Sequence, residues 1–209
     1  AVVPLLDELA TTAATMAAVN TIVVKNGRLI GHNTDTTGFA RAVKPLLAPA
    51  GNAVAVIGTG GVGKAIAFAL AGLGAAELRI FDADATKAAQ LATQLRDRHA
   101  VRAASVEAAV QGAVGLINAT PVGMLPSRAT PVPEALLHPS MWVADAVYTP
   151  LWTPLLTAAK VRGASVLTGR VLAINASADA FRLFTGMAPP HDVMANAFDA
   201  VMAARYAAP

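Results

Sequence analysis

A glycine-rich stretch in the first third of the chain has the composition and spacing of a turn that binds phosphate. Its sequence is Gly58-Thr59-Gly60-Gly61-Val62-Gly63, so glycines stand at all three positions of the pattern G-x-G-x-x-G. The first glycine allows a tight turn, the second lets the backbone approach a pyrophosphate, and the third lets the following helix pack closely. The pattern predicts a dinucleotide site, with a glycine-rich turn that binds nothing as the alternative.

An acidic residue at the end of the next strand would complete such a site, because its carboxylate can accept hydrogen bonds from ribose hydroxyls. Asp82 lies 24 residues after Gly58 and directly follows the apolar run Glu77–Phe81. Asp84 is better placed to cap the next helix, and a second capping or solvated acid is the alternative for Asp82. Lys87, one helical turn further on, is expected to face solvent. Because a carboxylate would repel a 2′-phosphate, we expect NAD to be preferred over NADP.

Three polar clusters in otherwise apolar sequence carry further side chains suited to chemistry. They are Ala18-Val19-Asn20-Thr21, Gly31-His32-Asn33-Thr34-Asp35-Thr36-Thr37-Gly38 and Asp145-Ala146-Val147-Tyr148-Thr149-Pro150. A carboxylate and an amide at the edge of a cleft can bind hydroxyl groups and direct a proton. Each candidate has a structural alternative: Asp35 as a helix cap, Asn20 as a turn residue and Tyr148 as a half-buried aromatic at a strand end.

Alternating strands and helices are predicted to position these residues. The apolar runs of strand length are Ala53–Ile57, Glu77–Phe81, Val101–Ala104, Gly115–Ala119, Trp142–Val147 and Ala164–Leu167. Helical patterns between them are Val62–Leu73, Ala85–Arg98, Val106–Gln111 and Thr153–Arg162. Near-continuous apolar strands that alternate with helices are typical of a parallel sheet buried on both faces. The predicted fold class is therefore α/β, with a doubly wound parallel sheet of the Rossmann type.

The two ends of the chain are predicted to pack together as a second, smaller α/β domain. Its expected elements are a helix over residues 4–17, a hairpin turning at Lys25-Asn26-Gly27-Arg28, a helix Thr37–Leu47 stopped by Pro49 and Gly51, and helices Leu172–Thr185 and His191–Tyr206. The last helix carries Val193, Ala197, Val201 and Met202 on one apolar stripe. We expect a dinucleotide-binding domain at 42–170 and a substrate domain built from 1–41 and 171–209.

The composition excludes several classes of protein. With 55% hydrophobic and 14% charged residues the chain is too apolar for disorder, and without cysteine it has no disulfides or thiolate metal sites. The longest uncharged stretch, Ala108–Ser127, is broken by proline and glycines, so no membrane span is expected. Scattered basic residues and 5% aromatic residues argue against nucleic-acid binding. The four histidines lack metal-ligand spacing, so no metal site is expected.

The beginning of the chain does not resemble the start of a gene product. Ala1 stands where an initiator Met would be, and acidic residues follow the first apolar run, unlike in a signal peptide. We therefore expect an N-terminally incomplete chain from a cytoplasmic protein. The protein is expected to be a monomer or homodimer that acts on a small molecule.

Five motifs together resemble the shikimate/quinate dehydrogenase family in order and spacing. They are the first two polar clusters, Asn118-Ala119-Thr120-Pro121-Val122-Gly123-Met124, the stretch Asp145–Leu156, and Ala180–Gly186. The resemblance spans nearly the whole chain. It implies a reversible, nicotinamide-dependent oxidation of a ring hydroxyl of a cyclic hydroxy acid, shikimate or quinate, in the shikimate pathway of aromatic amino acid biosynthesis.

The resemblance also implies roles for individual residues. Asn20 and Asp35 would hydrogen-bond the substrate hydroxyls, and Asp35 would share proton handling with a lysine upstream of Ala1, where the family's paired serines would also lie. Tyr148 would lie near the substrate carboxylate. The residues implied for the cofactor, besides the glycine-rich turn and Asp82, are Thr120, Val122, Met124, Ala146 and Gly169.

Two departures from the family pattern bear on specificity. Ala176 stands where the family usually has a glutamine directed at the substrate, which would weaken binding of shikimate or quinate or select a related ligand. Asp82-Ala83-Asp84 stands where NADP-dependent members typically have Asn-Arg-Thr. A paralogue acting on a related cyclic hydroxy acid and a non-catalytic nicotinamide-binding sensor are therefore kept as alternatives.

Overall fold

The structure, a computed structural model, describes residues 2–47 and 53–207, with side chains described as far as Arg205. The chain divides into two compact units. The end unit is formed by both ends of the chain, up to Ala42 and from Arg170 onward, and the central unit extends from Val43 to Gly169.

A small three-stranded sheet begins the end unit. Its strands are β1 (Glu8–Leu9), β2 (Thr21–Lys25) and β3 (Arg28–His32), in the order β1-β3-β2, with the short helix α1 (Thr11–Ala14) after β1. The predicted hairpin is present: Asn26 and Gly27 connect β2 to β3 with φ angles of 52° and 75°. Both angles lie in the left-handed region that a two-residue hairpin turn requires, which explains the Asn-Gly pair.

The predicted helix over residues 4–17 is wrong. In this segment the structure has a 3-10 turn at Val3–Leu5 and the four-residue α1, and β1 between them is extended. β1 is extended because it pairs in parallel with β3, and the amide of Ala10 donates to the carbonyl of Gly31 at 2.9 Å. Pairing with residues distant in sequence thus overrides the local helical pattern.

Helix α2 spans Thr34–Val43 and is followed by a 3-10 turn at Lys44–Leu46. It begins three residues before the predicted Thr37, because the side-chain oxygen of Asn33 accepts a hydrogen bond from the amide of Thr36 at 3.2 Å. Asp35 therefore lies in the first turn of α2 and does not cap it. The predicted stop signals, Pro49 and Gly51, lie outside the described residues.

A parallel sheet forms the central unit. Its six strands are β4 (Ala53–Ile57), β5 (Glu77–Phe81), β6 (Ala100–Arg102), β7 (Gly115–Asn118), β8 (Trp142–Asp145) and β9 (Ser165–Leu167), in the order β6-β5-β4-β7-β8-β9. The connecting helices are α3 (Gly61–Gly72), α4 (Ala85–Gln94), α5 (Val106–Val110) and α6 (Pro154–Val161), with 3-10 turns at Arg96–Arg98 and Glu134–Leu136. The prediction of a doubly wound α/β fold of the Rossmann type is confirmed.

The strand order reverses beside β4, since β5 and β6 continue on one side of it and β7 to β9 on the other. Ligands of open α/β sheets bind at such a reversal, outside the carboxyl ends of the strands. The register pairs Ile57 with Phe81 on one side and with Asn118 on the other, and Asn118 is paired with Asp145. The residues after these four positions therefore lie along one edge of the sheet.

Some predicted strands are too long at this edge. The runs Gly115–Ala119 and Trp142–Val147 end as strands at Asn118 and Asp145, whose side chains accept hydrogen bonds from the backbone that follows. Away from the edge the sheet is packed on apolar side chains. The most deeply buried include Ile66, Leu70, Leu78, Ile80, Leu116, Ile117 and Leu155.

Two helices of 17 residues each, α7 (Gly169–Thr185) and α8 (His191–Ala207), close the chain. Arg170 donates two hydrogen bonds to Asp199, at 2.6 and 2.7 Å, and so ties α7 to α8. The predicted apolar stripe of α8 is wrong in part: Met202 is buried, but Val193 and Val201 are each 65% exposed. Asp199 lies about 200° around the helix from Val201, so its bond to α7 turns the valines outward.

Candidate active site

The glycine-rich turn lies at the carboxyl end of β4, between this strand and α3. Gly58 has a φ angle of 100°, and a Cβ atom there would lie 2.7 Å from Thr120 Cγ2. A Cβ atom at Gly63 would overlap the carbonyl oxygen of Gly58, whereas one at Gly60 would have no atom within 4 Å. The turn is thus tight toward the protein and open on the opposite side, which fits the close approach of a pyrophosphate.

The start of α3 can receive negative charge. The helix begins at Gly61, and its N-cap residue, Gly60, has no side chain that could accept a hydrogen bond from the first amides. The first amide groups of a helix have no acceptor within the helix, and the helix dipole adds partial positive charge at this end. These amides can therefore donate hydrogen bonds to the phosphates of a dinucleotide.

Asp82 directly follows β5 and is bonded to the glycine-rich turn. Its Oδ2 accepts hydrogen bonds from the amide and the hydroxyl of Thr59, both at 2.7 Å, and its Oδ1 accepts one from the amide of Asp84 at 2.9 Å. Burial is the largest single influence and opposes ionisation, but the hydrogen bonds from Thr59 and Asp84 outweigh it and hold the pKa of Asp82 below its usual value. The carboxylate is therefore ionised and held in one orientation.

Asp84 is the N-cap of α4, accepting hydrogen bonds from the amides of Thr86 at 3.0 Å and Lys87 at 3.2 Å. The two acids of this segment thus differ in role, because Asp82 is bonded to the glycine-rich turn and Asp84 to the helix. The exposed Lys87 ammonium lies 3.4 Å from Asp84. The cation that follows β5 is therefore already paired with a carboxylate.

The loop after β7 carries the residues implied for the nicotinamide side. Asn118 holds this loop: its Oδ1 accepts hydrogen bonds from the amide of Thr120 at 3.0 Å and the hydroxyl of Thr120 at 2.7 Å, and its Nδ2 donates to the carbonyl of Val122 at 3.0 Å. The Thr120 hydroxyl in turn accepts from the amide of Val122 at 3.1 Å. Met124 lies further along the loop and is exposed. Thr120 and Val122 are therefore held in place before any ligand binds.

Asp145 connects this loop to the segment after β8. Its carboxylate accepts hydrogen bonds from Asn118 Nδ2 at 2.9 Å and from the Thr153 hydroxyl at 2.7 Å. Burial raises the pKa of Asp145 to about 6, although hydrogen bonds from Thr153, Val147 and Asn118 oppose this. No role for Asp145 was predicted from the sequence. An acid inside the apolar run Trp142–Val147 is a usable signal, because a buried carboxylate needs hydrogen-bonding partners.

Three further predicted residues lie near this network. The amide of Ala146 donates to the carbonyl of Asn118 at 2.9 Å. Tyr148, in the turn after β8, is 46% exposed. A Cβ atom at Gly169 would lie 2.5 Å from the carbonyl oxygen of Val147, so a larger residue would separate the start of α7 from this turn.

Asn20 and Asp35 lie together in the end unit. Asn20 Oδ1 accepts a hydrogen bond from the amide of Thr34 at 2.9 Å, and its Nδ2 donates to the Thr34 hydroxyl at 3.1 Å, which fixes Asn20 against the start of α2. Asp35 is the next residue and is partly buried. Burial raises the pKa of Asp35, and a hydrogen bond from Asn20 offsets part of this effect. Since Asn33 caps α2, capping does not account for Asp35.

Ala176 lies where α7 crosses α2. A Cβ atom at Gly38 would lie 2.7 Å from the backbone nitrogen of Ala176, so the two helices are in backbone contact there. Asn175 adds a hydrogen bond from its Nδ2 to the carbonyl of Gly38 at 3.2 Å. This crossing lies three residues after Asp35 and fixes the position of α2 within the end unit.

The predicted site residues fall into two groups in different units. Asn20 and Asp35 belong to the end unit, and the glycine-rich turn, Asp82 and Tyr148 belong to the central unit. Among residues 2–47 and 53–207, no cluster of three or more histidine, aspartate or glutamate side chains could hold a metal ion. None of the helices in the described part of the chain has the length and apolar character needed to cross a membrane.

A doubly wound sheet with a glycine-rich turn and a following acid is the arrangement of a dinucleotide-binding domain, of the kind that many oxidoreductases contain. Residues 53–143 match a family profile described as "NADP oxidoreductase coenzyme F420-dependent". This match covers the sheet from β4 into β8 and includes the turn and Asp82.

Comparison with individual proteins is more specific. The chain is 42% identical over 206 residues to the quinate/shikimate dehydrogenase (NAD(+)) of Corynebacterium efficiens. The aligned region covers 95% of this chain and 72% of that protein. The chain is 43% identical over 191 residues to the shikimate dehydrogenase (NADP(+)) of Streptomyces avermitilis, covering 88% of this chain and 66% of that protein. The quinate dehydrogenase of Corynebacterium glutamicum, solved with NAD, superimposes with a TM-score of 0.87 at 38% identity, covering 95% of this chain and 73% of that one.

This chain belongs to the shikimate/quinate dehydrogenase family. The resemblance predicted from its motifs is therefore confirmed. The names of its relatives include both NAD and NADP, so they support a pyridine nucleotide cofactor without selecting one.

Proposed function

We propose that this protein catalyses the NAD-dependent oxidation of a ring hydroxyl of shikimate or quinate and the reverse reduction of 3-dehydroshikimate or 3-dehydroquinate. The names of the relatives support this substrate class. The preference for NAD is inferred from the ionised Asp82 carboxylate, which hydrogen bonds from Thr59 hold beside the glycine-rich turn. A bound nicotinamide supplies the hydride acceptor for this chemistry.

The end unit handles the substrate hydroxyl and its proton in this proposal. Oxidation of an alcohol releases the hydroxyl proton as the hydride leaves the carbon, so a base must lie within hydrogen-bonding distance. Asp35 is that group, together with the upstream lysine that the family resemblance implies, and its raised pKa brings it closer to the pH at which proton exchange is efficient. Asn20 binds a neighbouring hydroxyl. Tyr148, which belongs to the central unit, is the residue implied to bind near the substrate carboxylate.

The central unit binds the cofactor and selects NAD. The glycine-rich turn and the start of α3 hold the pyrophosphate, and Asp82 accepts hydrogen bonds from the adenosine ribose. A 2′-phosphate about 4 Å from Asp82 would be repelled by about 4 kcal/mol per unit charge pair at an effective dielectric near 20. Solvent and salt reduce this energy, but about 1.4 kcal/mol already gives tenfold discrimination. Lys87 also acts on Asp82 through its charge, but it lies 3.4 Å from Asp84 and is exposed, so the segment after β5 carries two carboxylates against one cation.

Separate measurements of binding and turnover test this proposal. The central unit contains all the predicted cofactor residues, so residues 1–209 are expected to bind NADH in a fluorescence titration. Oxidation of shikimate and quinate is to be measured with the full-length enzyme, including any residues that precede Ala1. The same assay on residues 1–209 is expected to show no useful turnover, because the predicted lysine is not in this segment.

Each half of this experiment can fail independently. Absence of NADH binding by residues 1–209 would contradict the assignment of the dinucleotide site. Robust oxidation of shikimate or quinate by residues 1–209 would contradict the placement of the lysine upstream of Ala1. Absence of oxidation of both compounds by the full-length enzyme, with NADH binding intact, would contradict shikimate and quinate as substrates and would favour either a related cyclic hydroxy acid or the non-catalytic sensor.

A related cyclic hydroxy acid is the second candidate substrate, and Ala176 favours it. The alanine offers no hydrogen bond to a substrate hydroxyl, and a lost bond to a buried hydroxyl costs about 1–3 kcal/mol. If shikimate or quinate is the substrate, Ala176→Gln in the full-length enzyme is expected to lower its KM about tenfold. An unchanged KM for both would favour the related acid.

A further inference from the structure

A buried acid that the proposed reaction does not use lies at the nicotinamide side of the central unit. Asp145 is 3% exposed, and three donors occupy its two oxygens: Asn118 Nδ2 and the amide of Val147 at Oδ1, both at 2.9 Å, and the Thr153 hydroxyl at Oδ2, at 2.7 Å. In the described part of the chain, no lysine, arginine or histidine forms an ion pair with it. A buried carboxylate without a cation is costly, and these hydrogen bonds offset only part of the cost of its burial.

The three donors belong to three different segments. Asn118 ends β7 and holds the loop that carries Thr120 and Val122. The amide of Val147 belongs to the turn that carries Ala146 and Tyr148, and Thr153 is the N-cap of α6. One carboxylate therefore joins the loop after β7, the turn after β8 and the start of α6 at the carboxyl edge of the sheet.

The ribose side of the same edge does not depend on this carboxylate. Asp82 is held by Thr59 and Asp84. The amide of Gly58 donates to the carbonyl of Phe81 in β5 at 2.8 Å, and the carbonyl of Gly60 accepts from the amide of Lys64 in α3 at 2.9 Å. The hydrogen bonds of Asp145 reach the loops of β7 and β8 instead. The loop after β7 meets the glycine-rich turn only by packing, where Thr120 and Ala119 lie against Gly58. A change at Asp145 is therefore expected to affect the nicotinamide half of the cofactor site more than the adenosine half.

We propose that Asp145 is a positioning residue that holds the Thr120–Val122 loop and the Ala146–Tyr148 turn in the arrangement that binds the nicotinamide ring. This inference rests on the proposed dehydrogenase function. Asp145 does not touch the cofactor, and it acts through Asn118, Val147 and Thr153. Its carboxylate suits this task because it only accepts hydrogen bonds, and each of the three groups facing it donates one.

An amide at position 145 cannot reproduce this arrangement. The side chain introduced by Asp145→Asn keeps one acceptor oxygen for Asn118 and Val147 but places an NH₂ group where the Thr153 hydroxyl donates. That hydroxyl must then turn and accept a hydrogen bond, although it already accepts one from the amide of Leu156, and the bonds to a charged acceptor are lost. Protonation of Asp145 would have a similar effect, since it places a hydrogen on an oxygen that accepts a bond. The groups facing the carboxylate from β7, from the turn after β8 and from α6 are Asn118, Val147 and Thr153, and none of them titrates. Burial raises the pKa of Asp145 to about 6, which brings this protonation within an accessible pH range.

Two ligands that differ only at the nicotinamide end test the proposal on residues 1–209. NADH and ADP-ribose share the adenosine ribose and pyrophosphate, and ADP-ribose lacks the nicotinamide. Calorimetric titration is expected to show that the wild-type protein binds NADH more tightly than ADP-ribose. In Asp145→Asn we expect the NADH affinity to fall at least fivefold while the ADP-ribose affinity stays within twofold. Asp97→Asn is the matched control, because Asp97 has a 92% exposed side chain.

A second pair of variants covers the case in which Asp145→Asn does not fold. Thr153→Val removes the donor to Asp145 and the N-cap bond to the amide of Leu156 at nearly constant volume. It is expected to weaken NADH binding two- to fivefold without changing ADP-ribose binding. Thr153→Ser keeps the hydroxyl and is expected to restore the wild-type ratio of the two affinities. The NADH affinity of the wild type is also expected to fall between pH 7 and pH 5, and that of Asp145→Asn to stay level.

Several results would overturn the proposal. A wild-type ratio of affinities retained in Asp145→Asn and in Thr153→Val would show that the network does not affect the nicotinamide. Equal losses for NADH and ADP-ribose in folded variants would indicate a general structural role. A wild-type protein that binds NADH no better than ADP-ribose would exclude the inference alone, whereas one that binds neither would exclude the proposed function as well.

Discussion

Asp82 in the central unit and Asp35 in the end unit are the same residue type, yet their surroundings shift their pKa values in opposite directions. Hydrogen bonds from Thr59 and Asp84 outweigh the burial of Asp82 and lower its pKa. Burial of Asp35 is opposed by a hydrogen bond from Asn20 and still raises its pKa. A carboxylate that binds ribose hydroxyls must stay ionised, whereas one that exchanges a proton works best with a pKa closer to neutrality. The difference supports binding for Asp82 and proton handling for Asp35.

Asp145 shows that a raised pKa does not by itself identify a proton-handling group. Its pKa is raised by burial, like that of Asp35, but donors within the central unit occupy both of its oxygens, like those of Asp82. It is also almost fully buried, whereas Asp35 is partly exposed. Accessibility together with the pKa, and not the pKa alone, therefore separates a reactive carboxylate from a positioning one.

Removal of the Asp35 carboxylate is expected to have the largest effect. In the full-length enzyme, Asp35→Asn should lower kcat by about 10²–10⁴-fold, the usual range for an acid–base group. NADH binding should stay unchanged, because the cofactor residues belong to the central unit. Steady-state kinetics with a parallel fluorescence titration checks both values. Near-normal turnover would reduce Asp35 to a structural residue of α2 and remove its contrast with Asp82.

Asp145 is expected to make stability depend on pH in the direction opposite to a salt-bridged acid. Its pKa of about 6 in the folded state exceeds the usual 3.8, so the folded protein keeps a proton that the unfolded chain has lost. Its contribution to the free energy of unfolding is therefore most favourable below about pH 4. This contribution falls by about 3 kcal/mol in total as the pH rises through about 6. Urea unfolding of the wild type and of Asp145→Asn from pH 4 to pH 8 measures this contribution, as the difference between their two curves of unfolding free energy against pH. Parallel curves would show that Asp145 is ionised throughout.

The ribose side is expected to set the cofactor preference by at least tenfold. We expect the full-length enzyme to favour NAD over NADP by this factor in kcat/KM, because Asp82 repels a 2′-phosphate and accepts hydrogen bonds from a free ribose. Asp82→Asn with Ala83→Arg should reverse the preference, since it replaces the carboxylate and adds a cation. Asp82→Asn alone is the intermediate control. Equal or better use of NADP by the unmodified enzyme would contradict the role of Asp82.

The sequence predicts the sheet well where burial decides the structure. β4 and β5 have the predicted bounds, because Ala53–Ile57 and Glu77–Phe81 are apolar runs ended by a glycine turn and by an acid. The helix predicted over residues 4–17 is wrong, because the extended state of β1 depends on pairing with β3, about 20 residues away. The position of Val193 and Val201 on α8 likewise depends on the bond between Arg170 and Asp199.

Motifs and the family resemblance predict the individual residues of the candidate site, but not the contacts between their side chains. The sequence does not show that Asp145 bonds to Asn118, because their contact follows from the register of β7 against β8. It also does not show that Asn33 caps α2, since Asn33 and Asp35 are both plausible caps two residues apart. Relations between side chains therefore require the fold, even where each side chain is identified correctly.

Removal of the Thr59 hydroxyl is expected to have the smallest of these effects. It should change cofactor binding alone and leave the rate of the reaction unchanged. Thr59→Val keeps the amide that donates to Asp82 Oδ2 and removes the hydroxyl that also donates to it at 2.7 Å. The loss should raise the KM for NAD about three- to tenfold, in line with one hydrogen bond to a charged group that solvent partly replaces. kcat should not change, because this bond serves the ground state and transition state equally. Thr59→Ser keeps the hydroxyl and should behave like the wild type. A lower kcat at unchanged KM would show that Thr59 acts on the reaction and not on the orientation of Asp82.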